Sequence, residues 1–226
     1  MFIGHFATGL AFYVQKQGGK ITFFLLVLGT QFVDILWGLF TLLGFEGGVS
    51  LGSVKHNFFD TPWSHSLLMM IVWSVIYGFA ANYYVSINDK ELNNFGIIAG
   101  LSVFSHWVLD FIVHNDDMRI IPTSDQTLPS LYLWEFPIAT FIIEFAIIIG
   151  SWWLYWKVLK SKEEIISSTR PLLMIGLLSF LHLINFLPSF NDVEGMEVDA
   201  ITGLAGFIGI VVIASIMTWI HPERKI

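Results

Sequence analysis

The sequence predicts an all-α fold: a polytopic transmembrane helix bundle of six spans plus a short N-terminal helix, which is either half-buried or a seventh span. Two observations support this prediction. Hydrophobic residues make up 55% of the 226-residue chain and charged residues only 13%, about half the charged share of ordinary soluble domains. The apolar residues also fall into separate runs of about 20, the length that crosses a bilayer. We therefore expect residues 1–226 to form a single membrane domain.

Six segments are long enough to span a membrane. In chain order they are Ile21–Phe45, Trp63–Ile87, Phe95–His114, Glu135–Trp156, Arg170–Pro188 and Val198–His221. Phe2–Val14 is shorter, so we expect a tilted or half-buried helix there. In the last segment Gly203, Gly206 and Gly209 are spaced three apart, which favours close packing against another helix.

The basic residues divide unequally between the loops on the two sides of the predicted membrane. One side receives Lys16, Lys20, Lys90, Lys157, Lys160, Lys162, Arg170, Arg224 and Lys225, and the other receives only Lys55 and Arg119. Cytoplasmic loops carry an excess of Lys and Arg, so we expect a cytoplasmic C-terminus and acidic loops on the extracytoplasmic side. The net charge of −7 without a basic run argues against nucleic-acid binding. The absence of cysteine excludes disulfides, thiolate catalysis and Cys-ligated metal.

Ionisable residues inside the predicted spans are the main indication of function. A buried charge in a membrane is costly, and such residues usually face the bundle interior or a water-filled cavity. The chain places eight of them there, namely His5, Asp34, His65, His106, Asp110, His114, Glu144 and His182. Most fall in the half of the membrane nearer the acidic loops. The pattern predicts a polar pocket that opens to the extracytoplasmic side.

The stretch SHWVLDFIVH, residues 105–114, repeats its polar residues every four positions. Residues four apart lie on one helix face, so Ser102, His106, Asp110 and His114 should form a stripe. At 1.5 Å per residue, Asp110 lies about 6 Å and His106 about 12 Å deeper than His114. Glu144 and His182 fall at similar depths in consecutive spans, and we expect them to form a structural pair.

His and Asp are the ligands that zinc favours when Cys is absent. A catalytic zinc needs three protein ligands and one open position. We expect His65, His106 and Asp110 to supply the ligands. Asp34, His5 and His114 are candidates for further ligands, outer partners or a general base. Six such groups make a second ion conceivable, and a simple interhelical hydrogen-bond cluster would use the same residues.

Five stretches, in this order, resemble the prokaryotic membrane-bound metal-dependent hydrolases, a group close to the inner-membrane-associated, LexA-binding hydrolases. They are GHFATGL (4–10), GTQFVDILWGLFTLLGFE (29–46), DTPWSHSLL (60–68), SHWVLDFIVHNDD (105–117) and LWEFPIATFIIE (133–144). The resemblance implies an inner-membrane protein with a metal centre. Its residues would be His5, Asp34, His65, His106 and Asp110, with His114 and Asp117 matching the nearest members.

The sequence departs from this family pattern at three positions. Leu36 stands where a second Asp is common, Asp60 where a His is common, and Glu135 where an Asn is common. These departures weaken the case for a two-metal site more than the case for one metal.

The favoured function is a zinc-dependent hydrolase acting on an ester, amide or phosphoester, with Asp34 or Glu135 as the general base. The depth of the pocket suggests a lipid or lipid-linked substrate. Membrane lipids are the expected partners and nucleic acid is not, and the sequence leaves the oligomeric state open. One alternative is a proton- or ion-coupled transporter that uses the buried Asp, Glu and His residues. The lack of inverted repeats and of helices broken by Gly or Pro counts against it. The other alternative is a non-catalytic scaffold.

Overall fold

The computed structural model describes residues 2–53, 57–88, 92, 94–161, 169–186, 192–197 and 199–222. Within them the chain forms nine helices and three short strands. The helices are α1 (Phe2–Gln15), α2 (Lys20–Gly29), α3 (Phe32–Leu42), α4 (Pro62–His65), α5 (Leu67–Asn88), α6 (Phe95–Val113), α7 (Pro137–Ser161), α8 (Thr169–Phe186) and α9 (Ala200–Ile220). The strands are β1 (Gly47–Ser53), β2 (Asn57–Asp60) and β3 (Asp192–Glu197), and a 3₁₀ turn covers Leu133–Glu135. The predicted class, a polytopic helix bundle, is confirmed.

Five helices, α5 to α9, are long and apolar enough to cross a membrane, and α2 with α3 forms a sixth candidate. Their outward faces carry large apolar side chains. Phe79 is 76% exposed, Ile138 71% and Trp219 72%. A large exposed apolar surface is unfavourable in water but suits contact with lipid tails. This is the architecture of a multi-pass integral membrane protein.

The segment predicted to span as Ile21–Phe45 is broken into two helices. The chain forms α2 and α3, which are bent by 60° relative to each other. Thr30 and Gln31 at the bend are fully buried, and Gln31 Nε2 donates a hydrogen bond to the Phe2 carbonyl at 3.0 Å. Helical bonding resumes from Ile35 N–H to the Gln31 carbonyl. The Thr30 carbonyl is thus left available to another helix, and irregular backbone at membrane depth is tolerated where protein surrounds it.

The segment predicted as Trp63–Ile87 is also divided. Ser66 is extended, with φ −62° and ψ 149°, and separates α4 from α5. His65 therefore belongs to a single helical turn beside the span rather than to the span itself. The backbone N–H groups of Leu67 and Leu68, at the start of α5, donate to the carbonyls of Arg119 and Ile120, so the loop after α6 caps this helix.

Helix α1 runs through the interior of the bundle, packed against α2, α6, α7 and α8. At 1.5 Å per residue its 14 residues extend about 21 Å, less than the bilayer core of about 30 Å. Glu144 on α7 holds its first turn, since Glu144 Oε1 accepts the Gly4 N–H at 2.7 Å. The predicted contact between Glu144 and His182 is present, with Oε2 3.5 Å from His182 Nδ1.

Two close helix contacts depend on glycine. A Cβ atom at Gly78 on α5 would lie 2.6 Å from the Gly96 carbonyl of α6, and one at Gly203 would lie 2.7 Å from the Gly38 carbonyl of α3. The packing role predicted for Gly203 is therefore confirmed. Gly209 meets no atom within 4 Å, so the prediction was wrong for that residue.

The strands form an antiparallel sheet in the order β2-β1-β3, which the sequence analysis did not predict. The sheet connects α3 to α4 and leads into α9, so it lies at the end of the bundle that holds Asp34 and His65. Beside it Arg119 contacts the carboxylates of Asp60 at 2.9 Å and Asp125 at 3.0 Å.

The opposite end of the bundle is closed by His221, directly after α9. Its ring stacks on Phe23 at 4.2 Å between centroids, and its Nδ1 is 2.7 Å from the Tyr155 hydroxyl. Burial, with the positive charges of Lys20 and Arg170 nearby, lowers the pKa of His221 to about 3. The ring is therefore neutral at pH 7 and serves packing at this end.

Candidate metal centre

The carboxylate of Asp110 lies at the centre of four histidines, and its residue is only 3% exposed. Its Oδ2 atom is 3.0 Å from His106 Nε2 and 3.9 Å from His65 Nε2. Its Oδ1 atom is 3.0 Å from His5 Nε2 and 3.9 Å from His114 Nε2. The stripe predicted along α6 therefore points into the bundle, and each oxygen of Asp110 faces its own pair of rings.

Asp34 completes one side of this cluster. Its Oδ1 atom is 3.2 Å from His65 Nε2 and 3.4 Å from His106 Nε2. With Asp110 Oδ2 this makes four donor atoms whose measured separations run from 3.0 to 3.9 Å. Tetrahedral zinc with bonds of about 2.0–2.1 Å separates its ligand atoms by about 3.4 Å. These four separations lie around that value, and the ligand atoms of Asp34, His65 and His106 are all close enough together to hold one ion.

The Nδ1 atoms of His106 and His65 are held from outside the cluster. His106 Nδ1 is 2.7 Å from the Thr30 carbonyl, which can only accept, so this nitrogen carries the proton. His65 Nδ1 is 2.7 Å from Ser64 Oγ, which is 2.7 Å from Glu46 Oε2. Since an ionised Glu46 only accepts, the Ser64 hydroxyl donates to it and accepts from His65 Nδ1–H. In its neutral form, each ring would then have an unprotonated Nε2 atom.

The Nδ1 atom of His114 is also held by a partner outside the cluster. It is the residue after α6, and its Nδ1 lies 3.1 and 3.2 Å from the two carboxylate oxygens of Asp117. The Trp134 ring packs against it with centroids 4.3 Å apart. Asp117 therefore accepts the hydrogen bond of Nδ1–H and directs the Nε2 atom toward Asp110.

In the neutral form of these rings, the lone pairs of three Nε2 atoms face carboxylate oxygens. Such contacts are favourable when the rings are protonated or when a cation lies between the ligand atoms. The two carboxylates of Asp34 and Asp110 carry a charge of −2 that one divalent ion would balance, and a buried charge requires a partner. The sets His5–His106–Asp110 and Asp34–His65–His106 are both close enough to hold a metal ion. Outer partners on ring nitrogens are also the usual companions of metal-bound histidine.

His5 differs from the other three rings. Its Nε2 lies 3.0 Å from Asp110 Oδ1, but its buried Nδ1 has no hydrogen-bond partner among the described residues. The ring stacks on His106 with centroids 3.7 Å apart and an angle of 8°. The bond from Gly4 to Glu144 holds the preceding residue of α1, so the backbone rather than an outer ring partner positions His5.

Glu46 is a site residue that the sequence analysis missed, since it was assigned only to an acidic loop. Besides Ser64 Oγ, its carboxylate accepts the backbone N–H groups of Trp63 at 2.7 Å and Ser64 at 2.8 Å. Burial raises the pKa of the Glu46 carboxyl, opposed by these hydrogen bonds and by His65 nearby. Glu46 and Ser64 are 18 residues apart in the chain, so no local pattern predicts their contact. The N-cap residue of α4, Thr61, makes no side-chain capping bond, and Glu46 caps this helix instead.

The cluster opens on one side. The side chains of Asp34, His65 and His114 are 19, 11 and 12% exposed, whereas those of His106 and Asp110 are 1 and 4% exposed. The six predicted metal-site residues are brought together: His5, Asp34, His65, His106, Asp110 and His114. Glu135, predicted as an alternative base, is exposed in the 3₁₀ turn. Its neighbour Trp134 packs against His114, and the role of Glu135 as a base stays a prediction.

Comparison with protein-family models, with curated proteins and with solved structures finds no match for this chain. The resemblance to membrane-bound hydrolases therefore stays a prediction. What the structure establishes is a multi-pass helical protein with a buried His/Asp cluster that could hold a metal ion.

Proposed function

We propose that the protein is a membrane-embedded metal-dependent hydrolase, with Zn²⁺ as the expected metal. His65, His106 and Asp110 are its ligands. The observation that supports this proposal is the convergence of the Nε2 atoms of His65 and His106 on carboxylate oxygens, at 3.0–3.9 Å, with each Nδ1 held from outside the cluster. A cluster without metal needs protonated rings that donate to the carboxylates, whereas neutral rings set acceptors opposite acceptors and require a cation between them.

Asp34 is the proposed general base. It lies at the fourth corner of the site and is the most exposed member, at 19%, so water can reach it. A divalent ion bound at the site supplies the Lewis acidity that lets water attack an ester or phosphoester near pH 7. Asp34 would accept the proton of that water, and its contacts to His65 and His106 keep its carboxylate directed at the reacting position.

The position of the cluster within a bundle of apolar helices supports a lipid or lipid-linked substrate. The positive-inside pattern supports a site that opens to the extracytoplasmic side, with the C-terminus in the cytoplasm. Because the chain has no cysteine, single cysteines can test this directly. Lys160→Cys should react with a membrane-impermeant maleimide only after the cells are opened, and Asp125→Cys should react in intact spheroplasts.

The first test is metal content. We expect the protein, purified in detergent after growth with added zinc, to carry tightly bound zinc measured by plasma mass spectrometry. His65→Ala and His106→Ala should lose zinc and lose hydrolysis of fluorogenic phospholipids and esters. His221→Ala, which removes a buried histidine at the opposite end, should keep the zinc. Metal-free protein after zinc loading, or equal zinc in the four proteins, would contradict the proposal.

The bend between α2 and α3 favours a second candidate, an ion-coupled transporter. Discontinuous helices form the binding sites of many transporters, and Thr30 and Gln31 place such a break beside Asp34. One argument against this alternative in the sequence analysis is therefore removed. Proteoliposome flux of protons or cations that disappears in Asp34→Asn, together with no hydrolysis of any tested ester, would favour the transporter.

A further inference from the structure

We propose that Gln31, at the break between α2 and α3, is a positioning residue for His5 in the metal centre. This inference rests on the proposed metal-dependent function and names a residue that acts on its site from outside the ligand set. Gln31 Nε2 donates a hydrogen bond to the Phe2 carbonyl at 3.0 Å. Phe2 begins α1, and His5 lies in the same first turn of that helix.

The break holds both members of a stacked pair of rings. His5 and His106 lie parallel to within 8° with centroids 3.7 Å apart. The Thr30 carbonyl, just after α2, is 2.7 Å from His106 Nδ1, and the next residue, Gln31, holds the turn of α1 that carries His5. A helix end leaves its last carbonyl groups without a partner in the helix. The break therefore supplies an acceptor to one ring and, through the adjacent side chain, a donor to the backbone that carries the other ring.

The chemistry of the Gln31 side chain supports this role. Gln31 is fully buried, and its Oε1 atom has no hydrogen-bond partner among the described residues. Burying an amide whose hydrogen bonds are not all made costs free energy, so an apolar side chain of the same size would fill this space more favourably. What the amide adds at this position is the bond from Nε2 to α1.

The His5 ring depends on its backbone for its position. Its Nε2 is 3.0 Å from Asp110 Oδ1, but its buried Nδ1 has no hydrogen-bond partner among the described residues. Metal-site histidines are usually oriented through the second ring nitrogen, and His5 lacks that support in the described part of the chain. The ligand atoms of His5, His106 and Asp110 are close enough together to hold an ion. A shift of His5 would therefore change the centre itself.

The test is Gln31→Met, which keeps the length of the side chain and removes the donor. Gln17→Met is the matched control, because Gln17 Nε2 donates to the Val14 carbonyl of α1 at 3.1 Å and its Oε1 also has no partner among the described residues. Gln17 lies just beyond the opposite end of α1. In both variants Glu144 keeps the Gly4 N–H, so we expect both to give a monodisperse peak in gel filtration. Should Gln31→Met not fold, Gln31→Asn withdraws the donor with a shorter amide and carries the same prediction.

The first readout is NMR of the histidine rings in chelator-stripped, full-length protein that carries isotope-labelled histidine. Rings stacked at 3.7 Å shift each other's ring-proton signals through their ring currents. We expect Gln31→Met to change the signals of His5 and His106 and to leave that of His221 unchanged, and Gln17→Met to leave the His5 and His106 signals as in the wild type. His5→Gln and His106→Gln assign the two signals. A general loss of stability would not move these two signals selectively.

The second readout is zinc affinity, measured by competition with a chromogenic chelator. We expect Gln31→Met to weaken zinc binding by about 10-fold, the lower end of the effect of losing an outer contact of a metal site. Gln17→Met should bind zinc as tightly as the wild type.

The outcomes separate this inference from the proposed function. Unchanged His5 and His106 signals in folded Gln31→Met would overturn the positioning role and leave the hydrolase proposal intact. Changed signals with no zinc in any protein would support the positioning of the rings and overturn the hydrolase proposal. Changed signals with the zinc affinity of Gln17→Met would overturn the role of Gln31 in the metal centre.

Discussion

The link from Glu46 through Ser64 to His65 gives the sharpest prediction, tested by Ser64→Ala. In the wild type, Ser64 Oγ makes two bonds of 2.7 Å. The substitution removes both and leaves His65 Nδ1–H without its partner. The Glu46 carboxylate keeps the backbone N–H groups of Trp63 and Ser64, so the charge is not stranded and the start of α4 stays capped.

The expected effect is therefore concentrated on His65. Loss of an outer partner of a metal-bound histidine weakens metal binding by about 10- to 100-fold, or about 1.4–2.8 kcal/mol. Without metal, the lost bonds should cost only about 0.5–1.5 kcal/mol each. We would measure zinc affinity by competition with a chromogenic chelator, and thermal unfolding in detergent with and without zinc.

Ser66→Ala is the matched control. Ser66 lies two residues away and is equally buried, at 1% against 0% for Ser64, but its Oγ has no hydrogen-bond partner among the described residues. We expect its zinc affinity to equal that of the wild type. If Ser64→Ala binds zinc as tightly as Ser66→Ala, then Ser64 does not orient His65 as a ligand and the argument is refuted.

Three further predictions concern the bundle and its pH response. Glu144→Ala should lower the free energy of unfolding by about 1–3 kcal/mol, because it leaves the buried Gly4 N–H without its partner; denaturation in detergent measures this, and Glu144→Gln should recover part of it. Gly78→Ala should cost about 1–3 kcal/mol by forcing a Cβ against an α6 carbonyl, whereas Gly150→Ala, with no atom within 4 Å, should be neutral or stabilising in the same assay. Zinc affinity should fall with decreasing pH, since protons compete with zinc for the ligand histidines; an affinity unchanged between about pH 5.5 and 7.5 would argue against histidine ligation.

Part of the site was predictable because it depends on local periodicity. His106, Asp110 and His114 are four residues apart, and a helix necessarily places such positions on one face. The membrane character of the chain and the approximate depth of each polar residue followed from runs of apolar residues. The Glu144–His182 contact followed from matched depth in consecutive spans.

Other parts were not predictable because they depend on where helices break. No proline in the stretch GTQ marks Gly29 as the end of α2, and neighbouring helices compensate for the bend. That bend exposes the carbonyl that fixes His106. Ser66 likewise turns His65 out of its span, and Glu46 reaches Ser64 across 18 residues.

By itself, the sequence determined which residues enter the membrane and which polar groups accompany them, because the free energy of transfer into lipid depends on each segment's own composition. Only the tertiary structure decided which nitrogen of each histidine faces Asp110. That choice depends on the partner of the other nitrogen, whether the Thr30 carbonyl, Ser64 or Asp117. The Thr30 carbonyl comes from another segment of the chain, Ser64 is held by Glu46 from 18 residues away, and Asp117 needs the turn after α6.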